Sequence, residues 1–278
     1  MFRSCRTPRR TAAIAALVTA ATLTAAGPVG AVPAKTLKVC TTGDYKPLTY
    51  RDPATGNYSG IDVDMARDLA GHLKERLVFV PTSWPTLMRD VGTPGTCDIA
   101  MGGISVTPQR QEQADFTQPY LADGKTPITT SRAAHRFQTV EQINDKGVRV
   151  IVNPGGTNAE FVRQHLPNAT VITWPDNTTI FEQILQGRAD VMITDAIEAK
   201  YQATRHPGLV AVHPDKPFTT ADMAYMLPKN SRLTGGAVER WLGDALTDGT
   251  FQRAYDRWIS TQDAPPSRGA EHELSARP

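Results

Sequence analysis

Short apolar runs alternate with amphipathic stretches along most of this chain. Leu37-Lys38-Val39-Cys40-Thr41-Thr42 predicts a first strand, closed by the turn residues Gly43-Asp44-Tyr45-Lys46-Pro47. Residues 52 to 60, with Pro53, Gly56 and Asn57, predict a turn between two short strands. Ile61, Met65, Leu69 and Leu73 then recur at every fourth position, the apolar face of a helix. Leu77-Val78-Phe79-Val80-Pro81 predicts a second strand and residues 84 to 91 a short helix. Cys97-Asp98-Ile99-Ala100-Met101 predicts a third strand, ending on Gly102-Gly103. This alternation calls for a parallel sheet with helices on both faces.

The pattern then begins again. Val148-Arg149-Val150-Ile151-Val152, Thr170-Val171-Ile172-Thr173-Trp174 and Val191-Met192-Ile193 are strand-like, separated by helices through Phe161 and Leu166 and through Ile180, Ile184 and Leu185. Met223-Ala224-Tyr225-Met226-Leu227-Pro228 reads as one strand returning to the first half, followed by two helices. The expectation is an α/β protein of two lobes, each a mostly parallel sheet flanked by helices. Lobe 1 takes residues 35–127 plus 225–262 and lobe 2 takes 128–224. The chain crosses between them near residues 126–130 and 222–226. Such a pair of lobes can close on a small molecule.

Composition changes this picture little. The chain has 278 residues with a formal net charge of +2, and four arginines fall in its first ten residues. No basic stripe interleaved with aromatics exists, so no nucleic-acid partner is expected. Residues 1–34 resemble an export signal: a basic start, an apolar run from Thr11 to Ala26, and the cleavage-like triplets Val29-Gly30-Ala31 and Val32-Pro33-Ala34. Arg9-Arg10 leaves both the general and the twin-arginine routes open. Cys5 precedes the apolar run, where a lipid-anchor cysteine would follow it, so no membrane anchor is expected and the mature protein is periplasmic or secreted. The tail 263–278, with Pro265-Pro266, lacks apolar periodicity and predicts disorder. Cys40 late in one strand and Cys97 at the start of another predict two free buried thiols rather than a disulfide. The histidines show no metal-ligand spacing, and no metal is implied.

Ala189-Asp190-Val191-Met192-Ile193-Thr194-Asp195-Ala196-Ile197-Glu198-Ala199 carries two acids at a strand-to-helix junction, where open α/β sheets bind ligands. Two readings stand. Asp195 and Glu198 share one side of the first helical turn as functional groups, or they form a capping box. Thr107 predicts an N-cap with Pro108 at the first helical position. Arg110 there does nothing for the macrodipole, but its planar fork suits a carboxylate. Gly155-Gly156-Thr157-Asn158 opens a helix after a strand, an anion site or a plain turn. It has neither dinucleotide nor P-loop spacing. Lys125, in Asp123-Gly124-Lys125-Thr126, reads from that stretch alone as a solvated loop lysine.

Ser105-Val106-Thr107-Pro108-Gln109-Arg110 with Phe116-Thr117-Gln118-Pro119-Tyr120, the Gly-Thr loop and Thr194-Asp195 resemble the exported amino-acid-binding proteins of ABC transporters, over about residues 36–259. That resemblance implies a two-lobed periplasmic-binding-protein fold of type II. It gives Arg110 and the Thr157 region the ligand carboxylate, Asp195 the ammonium, and Tyr45 or Tyr50 the ligand side chain. A closer resemblance, to the cyclohexadienyl dehydratases built on that fold, rests on five stretches. These are Thr41-Thr42-Gly43-Asp44-Tyr45-Lys46-Pro47, Pro81-Thr82-Ser83-Trp84-Pro85, Asp123-Gly124-Lys125-Thr126-Pro127-Ile128-Thr129, Val152-Asn153-Pro154-Gly155-Gly156-Thr157-Asn158 and Thr194-Asp195-Ala196-Ile197-Glu198-Ala199. One departure is Gly102, where the resemblance leads one to expect a small hydroxyl residue before Gly103.

These enzymes convert prephenate to phenylpyruvate and arogenate to phenylalanine. The resemblance implies Glu198 as general acid, with Lys125 and Asn153 near the reacting ring. Gly103, Ser105, Gly156 and Trp84 complete the substrate-binding set. Aromatisation drives the reaction, so no cofactor is implied. The rival expectation is a plain amino-acid-binding protein, and Glu198 discriminates, because a binding site gains little from a second acid beside Asp195.

Overall fold

The computed structural model describes residues 1–2, 35–233 and 236–259. The expected export signal with Cys5 and the tail 263–278 lie outside these. The chain divides into Met1–Pro33 and Ala34–Pro278, and the fold is that of the second unit.

Two five-stranded sheets of matching order make up its frame. The first runs Arg76–Pro81, Thr36–Thr41, Ile99–Ala100, Met226–Pro228, Ala114–Phe116; the second runs Thr170–Thr173, Arg149–Val152, Val191–Asp195, Lys125–Thr130, Leu209–Ala211. In each, the first three strands are parallel and the fourth enters antiparallel. Both faces of each sheet are covered, which explains the nearly continuous apolar runs. Val191 and Ile193 pack into one cluster and Met192 into another, all three fully buried. Leu37 and Val39 likewise face one cluster and Cys40 the opposite one. The helix Ile61–Leu73 lays Ile61, Met65 and Leu69 on the first sheet, as its periodicity predicts. Asp62 and Asp64 in its first turn complement the macrodipole, and Lys74 ends it in the left-handed conformation.

Three boundaries differ from the expectation. The returning segment 223–228 is two strands: Ala221–Met223 pairs with Leu121–Asp123 in a separate two-stranded sheet, and only Met226–Pro228 joins the first sheet. Between them Tyr225 turns inward, donating its hydroxyl to Asp62 Oδ1 at 3.1 Å. The strand Lys125–Thr130, where the first crossing was expected, lies within the second sheet. Trp84 precedes its helix, which spans Leu87–Gly92.

The cysteine expectation is overturned, because Cys40 and Cys97 are disulfide-bonded with Cα atoms 5.6 Å apart. The third strand is only Ile99–Ala100, and Ala100 is the residue paired with Cys40. Had the strand begun at Cys97, the three-residue offset would have put about 10 Å between the cysteines. Cys97 instead lies in the turn before the strand, where the chain folds back toward Cys40. The bridge closes a 57-residue separation, for which the chain-entropy relation gives a stabilisation of about 4 kcal/mol. Replacing both cysteines by alanine should lower Tm by roughly 8–16 °C in a thermal melt under oxidising conditions. An unchanged melt would mean that the bridge contributes nothing to stability.

Candidate active site

The segments leaving the carboxyl ends of the parallel strands converge between the two sheets: 43–45, 102–103, 153–158 and 194–198. This is the ligand position general to open α/β sheets. Asp195 ends its strand, and its side chain makes no cap for the helix Ala196–Arg205 that follows. The capping-box reading therefore fails. Asp123 takes the capping role, accepting from Ala196 N and Ile197 N at 3.0 Å each. Asp195 and Glu198 are released for other partners, and these differ sharply.

Asp195 is ion-paired. Its Oδ1 receives Lys125 Nζ at 2.8 Å and its Oδ2 receives the Tyr45 hydroxyl at 2.5 Å. Lys125 sits opposite Asp195 in the antiparallel ladder, so sheet register brings the charges together. The ammonium also donates to Thr157 Oγ1 at 2.8 Å and to Asn158 Oδ1 at 2.6 Å. All three donors are used, and Lys125 is buried, not solvated.

Glu198 has no ion-paired cation among the described residues. It is fully buried, 0% exposed, with Oε2 bonded to the Thr194 hydroxyl and Oε1 receiving Asn177 Nδ2 at 3.3 Å. Desolvation holds its pKa well above the ordinary carboxyl value. The Thr194 hydrogen bond lowers it, Asp195 and Asp44 raise it, and Lys125 lowers it. The net direction is upward, toward the protonated form.

The opposing wall comes from the first sheet. Tyr45, Trp84, Gly103, Asn153, Gly156, Thr157 and Asp195, all expected site residues, line one cavity with Gly155 and Asn158. Gly103 adopts φ +70°, and a Cβ there would sit 2.4 Å from the Tyr45 ring, so only glycine lets that ring stand against the turn. Its N–H is held by the buried Asp62 carboxylate at 2.7 Å, which also receives the Tyr120 hydroxyl. Burial lifts Asp62 to about 6. Trp84 and Tyr45 meet edge to face at 5.6 Å, and Trp84 Nε1 donates to Asp44 Oδ1 at 3.1 Å. At φ +72°, Gly155 lies so near Pro85 that a Cβ would come within 2.6 Å of its nitrogen. The walls are closed on each other, leaving about 10 Å³, the room of roughly one water.

Arg110 follows the Thr107 cap as expected, and it is buried rather than solvated. Its Nη1 donates to the Ser105 carbonyl at 2.8 Å. Burial pulls its pKa down while Asp195 pulls it up. Tyr50 is not part of the cavity; its ring lies under Lys46 Nζ at 3.8 Å. Gly102 has no room for the expected hydroxyl residue, since a Cβ would lie 2.9 Å from both Thr41 and Thr49, whose hydroxyls bond each other at 2.7 Å. Sequence reasoning missed Asn158, Thr194, Asp44 and Asn177. The first three lie inside or beside recognised stretches, whereas Asn177 sits in the ordinary turn Asp176-Asn177-Thr178.

Residues 37–261 match the bacterial extracellular solute-binding proteins, family 3. The chain belongs to that family. It is 52% identical over 223 residues to a cyclohexadienyl dehydratase of Pseudomonas aeruginosa, covering 80% of this chain and 82% of that protein. The L-cystine-binding protein of Escherichia coli is 24% identical over 224 residues, with 81% and 82% covered. An ancestral amino acid-binding protein, a precursor of cyclohexadienyl dehydratase, has a crystal structure that superposes with a TM-score of 0.73. It is 33% identical, covering 81% of this chain and 95% of that one. Both expected resemblances hold, to the binding-protein family and to the dehydratase.

Removing one partner of the buried pair should be costly. Lys125→Met leaves Asp195 charged without its cation, and a loss of about 3–5 kcal/mol is expected in denaturant unfolding. Adding Asp195→Asn should restore part of that loss. Additive losses in the double variant would mean that the two groups are not coupled.

Proposed function

We propose that the protein catalyses the decarboxylative dehydration of prephenate to phenylpyruvate, of arogenate to phenylalanine, or of both, outside the cytoplasm. The observation that carries this reading is the pair of adjacent carboxyls with opposite environments. Asp195 is matched with Lys125 as an ion pair, and Glu198 is buried with no cation partner among the described residues and its pKa raised by desolvation. Environments that push two carboxyls apart assign an acid and a charged partner. The 52% identity to a cyclohexadienyl dehydratase supports the same reading.

In this reaction the ring carboxylate leaves as carbon dioxide. The electron pair of its C–C bond enters the ring, and the ring hydroxyl departs as water. Hydroxide is a poor leaving group, so a proton must arrive as the C–O bond breaks. Glu198 supplies that proton and regains it from solvent when the cleft reopens. The sum is prephenate plus one proton giving phenylpyruvate, carbon dioxide and water.

A cation fixed on the departing carboxylate would stabilise substrate more than transition state. Arg110 with Thr157 is therefore assigned to the side-chain carboxylate, which keeps its charge throughout. Asp195 is available to the arogenate amine, or to a hydrogen bond when the substrate is prephenate. Asn153, buried with its carbonyl oxygen unpartnered among the described residues, lines the cavity, and it is assigned to the reacting ring. Closure by Tyr45, Trp84 and Gly155 excludes water from the reacting centre.

The test is turnover of prephenate by purified protein, followed as phenylpyruvate above the spontaneous rate. Saturable turnover is expected. Glu198→Gln should lose about 10²–10⁴-fold in kcat while still binding ligand, because only the donated proton is lost. In the parent protein, kcat should hold through neutral pH and fall as pH rises through the elevated Glu198 pKa, where the donor ionises. Absence of turnover together with tight binding of an ordinary amino acid would favour a transport protein instead.

A further inference from the structure

Asn177 is 1% exposed and lies in the turn between the strand Thr170–Thr173 and the helix Ile180–Leu185. Its Nδ2 donates to the main-chain carbonyl of Asp44 at 3.0 Å and to Glu198 Oε1 at 3.3 Å. The Asp44 carbonyl can only accept, so the amide nitrogen must face it, and this fixes the orientation of the side chain. Both amide protons are then committed, and Oδ1 is left buried without a partner among the described residues. A buried amide held this way is poorly satisfied on its own account. What it provides is a bond from the wall built on the first sheet to the proposed acid on the second.

We propose that Asn177 is a positioning residue that couples closure of the cleft to the readiness of Glu198. This rests on the reading of Glu198 as the proton donor. When residues 43–45 come across, the Tyr45 hydroxyl reaches Asp195, and the Asp44 carbonyl takes one proton of the Asn177 amide. The other proton is thereby aimed at Glu198 Oε1, making that oxygen the acceptor. Each oxygen is then fixed by one donor, Oε1 by Asn177 and Oε2 by the Thr194 hydroxyl, and the carboxyl is held in one orientation. With the cleft open the Asp44 anchor is absent and the amide is free to turn. The acid is thus oriented only when its surroundings exclude water, which guards against proton donation in an open site.

Two variants test this. Asn177→Ala removes both bonds; kcat for prephenate should fall at least about tenfold, with the Kd of phenylpyruvate, used as a probe, within about threefold of the parent value. Asn177→Asp keeps the shape but sets a carboxylate against two acceptors. Its kcat should be low at pH 8 and recover as the pH is lowered, because protonation restores one donor. A purely structural residue would give no such recovery. Thermal melts confirm folding, and the aspartate variant serves if the alanine variant does not fold.

Parent-like kcat in the variant that folds would overturn the proposal, as would an equal loss at every pH in the aspartate variant. Glu198→Gln separates the two levels of the argument. If it stays active, the reading of Glu198 fails; if it is inactive while Asn177→Ala is fully active, only the coupling fails.

Discussion

Removing a carboxyl group from water without giving it a cation is the constraint on which this site depends. Glu198 is held by neutral donors from Thr194 and Asn177, while the nearby ammonium of Lys125 is already engaged by Asp195, Thr157 and Asn158. An acid in such surroundings keeps its proton, because ionisation would leave an uncompensated charge in a medium of low polarity. Its neighbour Asp195, three residues away, has the opposite environment. The two carboxyls are separated in role by their partners, not by their chemistry.

That environment is made by two sheets acting together. The helix Ala196–Arg205 carries Glu198 on the second sheet, yet Asp44 and Tyr45, in the segment that follows Thr36–Thr41 of the first, lie close enough to act on it electrostatically. Close approach of Pro85 to Gly155 allows the walls to meet. Asp123, in the strand Leu121–Asp123 that pairs with Ala221–Met223, caps that same helix. A segment joining the sheets therefore also fixes the acid-bearing helix. Under the proposed mechanism, the closed walls supply the dry setting that proton donation to a hydroxyl requires.

Much of the architecture was legible in the sequence because it follows from periodicity. Val191-Met192-Ile193 is apolar on every residue since both faces of its sheet are covered, and Ile61, Met65 and Leu69 mark a single helical face. The expected site residues Tyr45, Trp84, Gly103, Asn153, Gly156, Thr157 and Asp195 do assemble. What escaped was set by contacts between distant segments. Lys125 looks solvated until ladder register places it opposite Asp195. Asp195-x-x-Glu198 looks like a capping box until Asp123, far away in sequence, supplies the cap. Cys97 pairs with Cys40 because a turn replaces the strand that its neighbours suggested. Asn177 carries no local signal at all, since its partners lie 133 and 21 residues away.

The protonation state of Glu198 at neutral pH tests the central claim most directly. Isotope-edited infrared spectroscopy of protein carrying labelled glutamate, taken as a difference against Glu198→Gln in the closed, ligand-bound state, reads that one group. A neutral carboxyl band at pH 7, lost only at higher pH, is the predicted result. An ionised carboxylate at pH 7 would contradict the account, because a charged Glu198 has no proton to give.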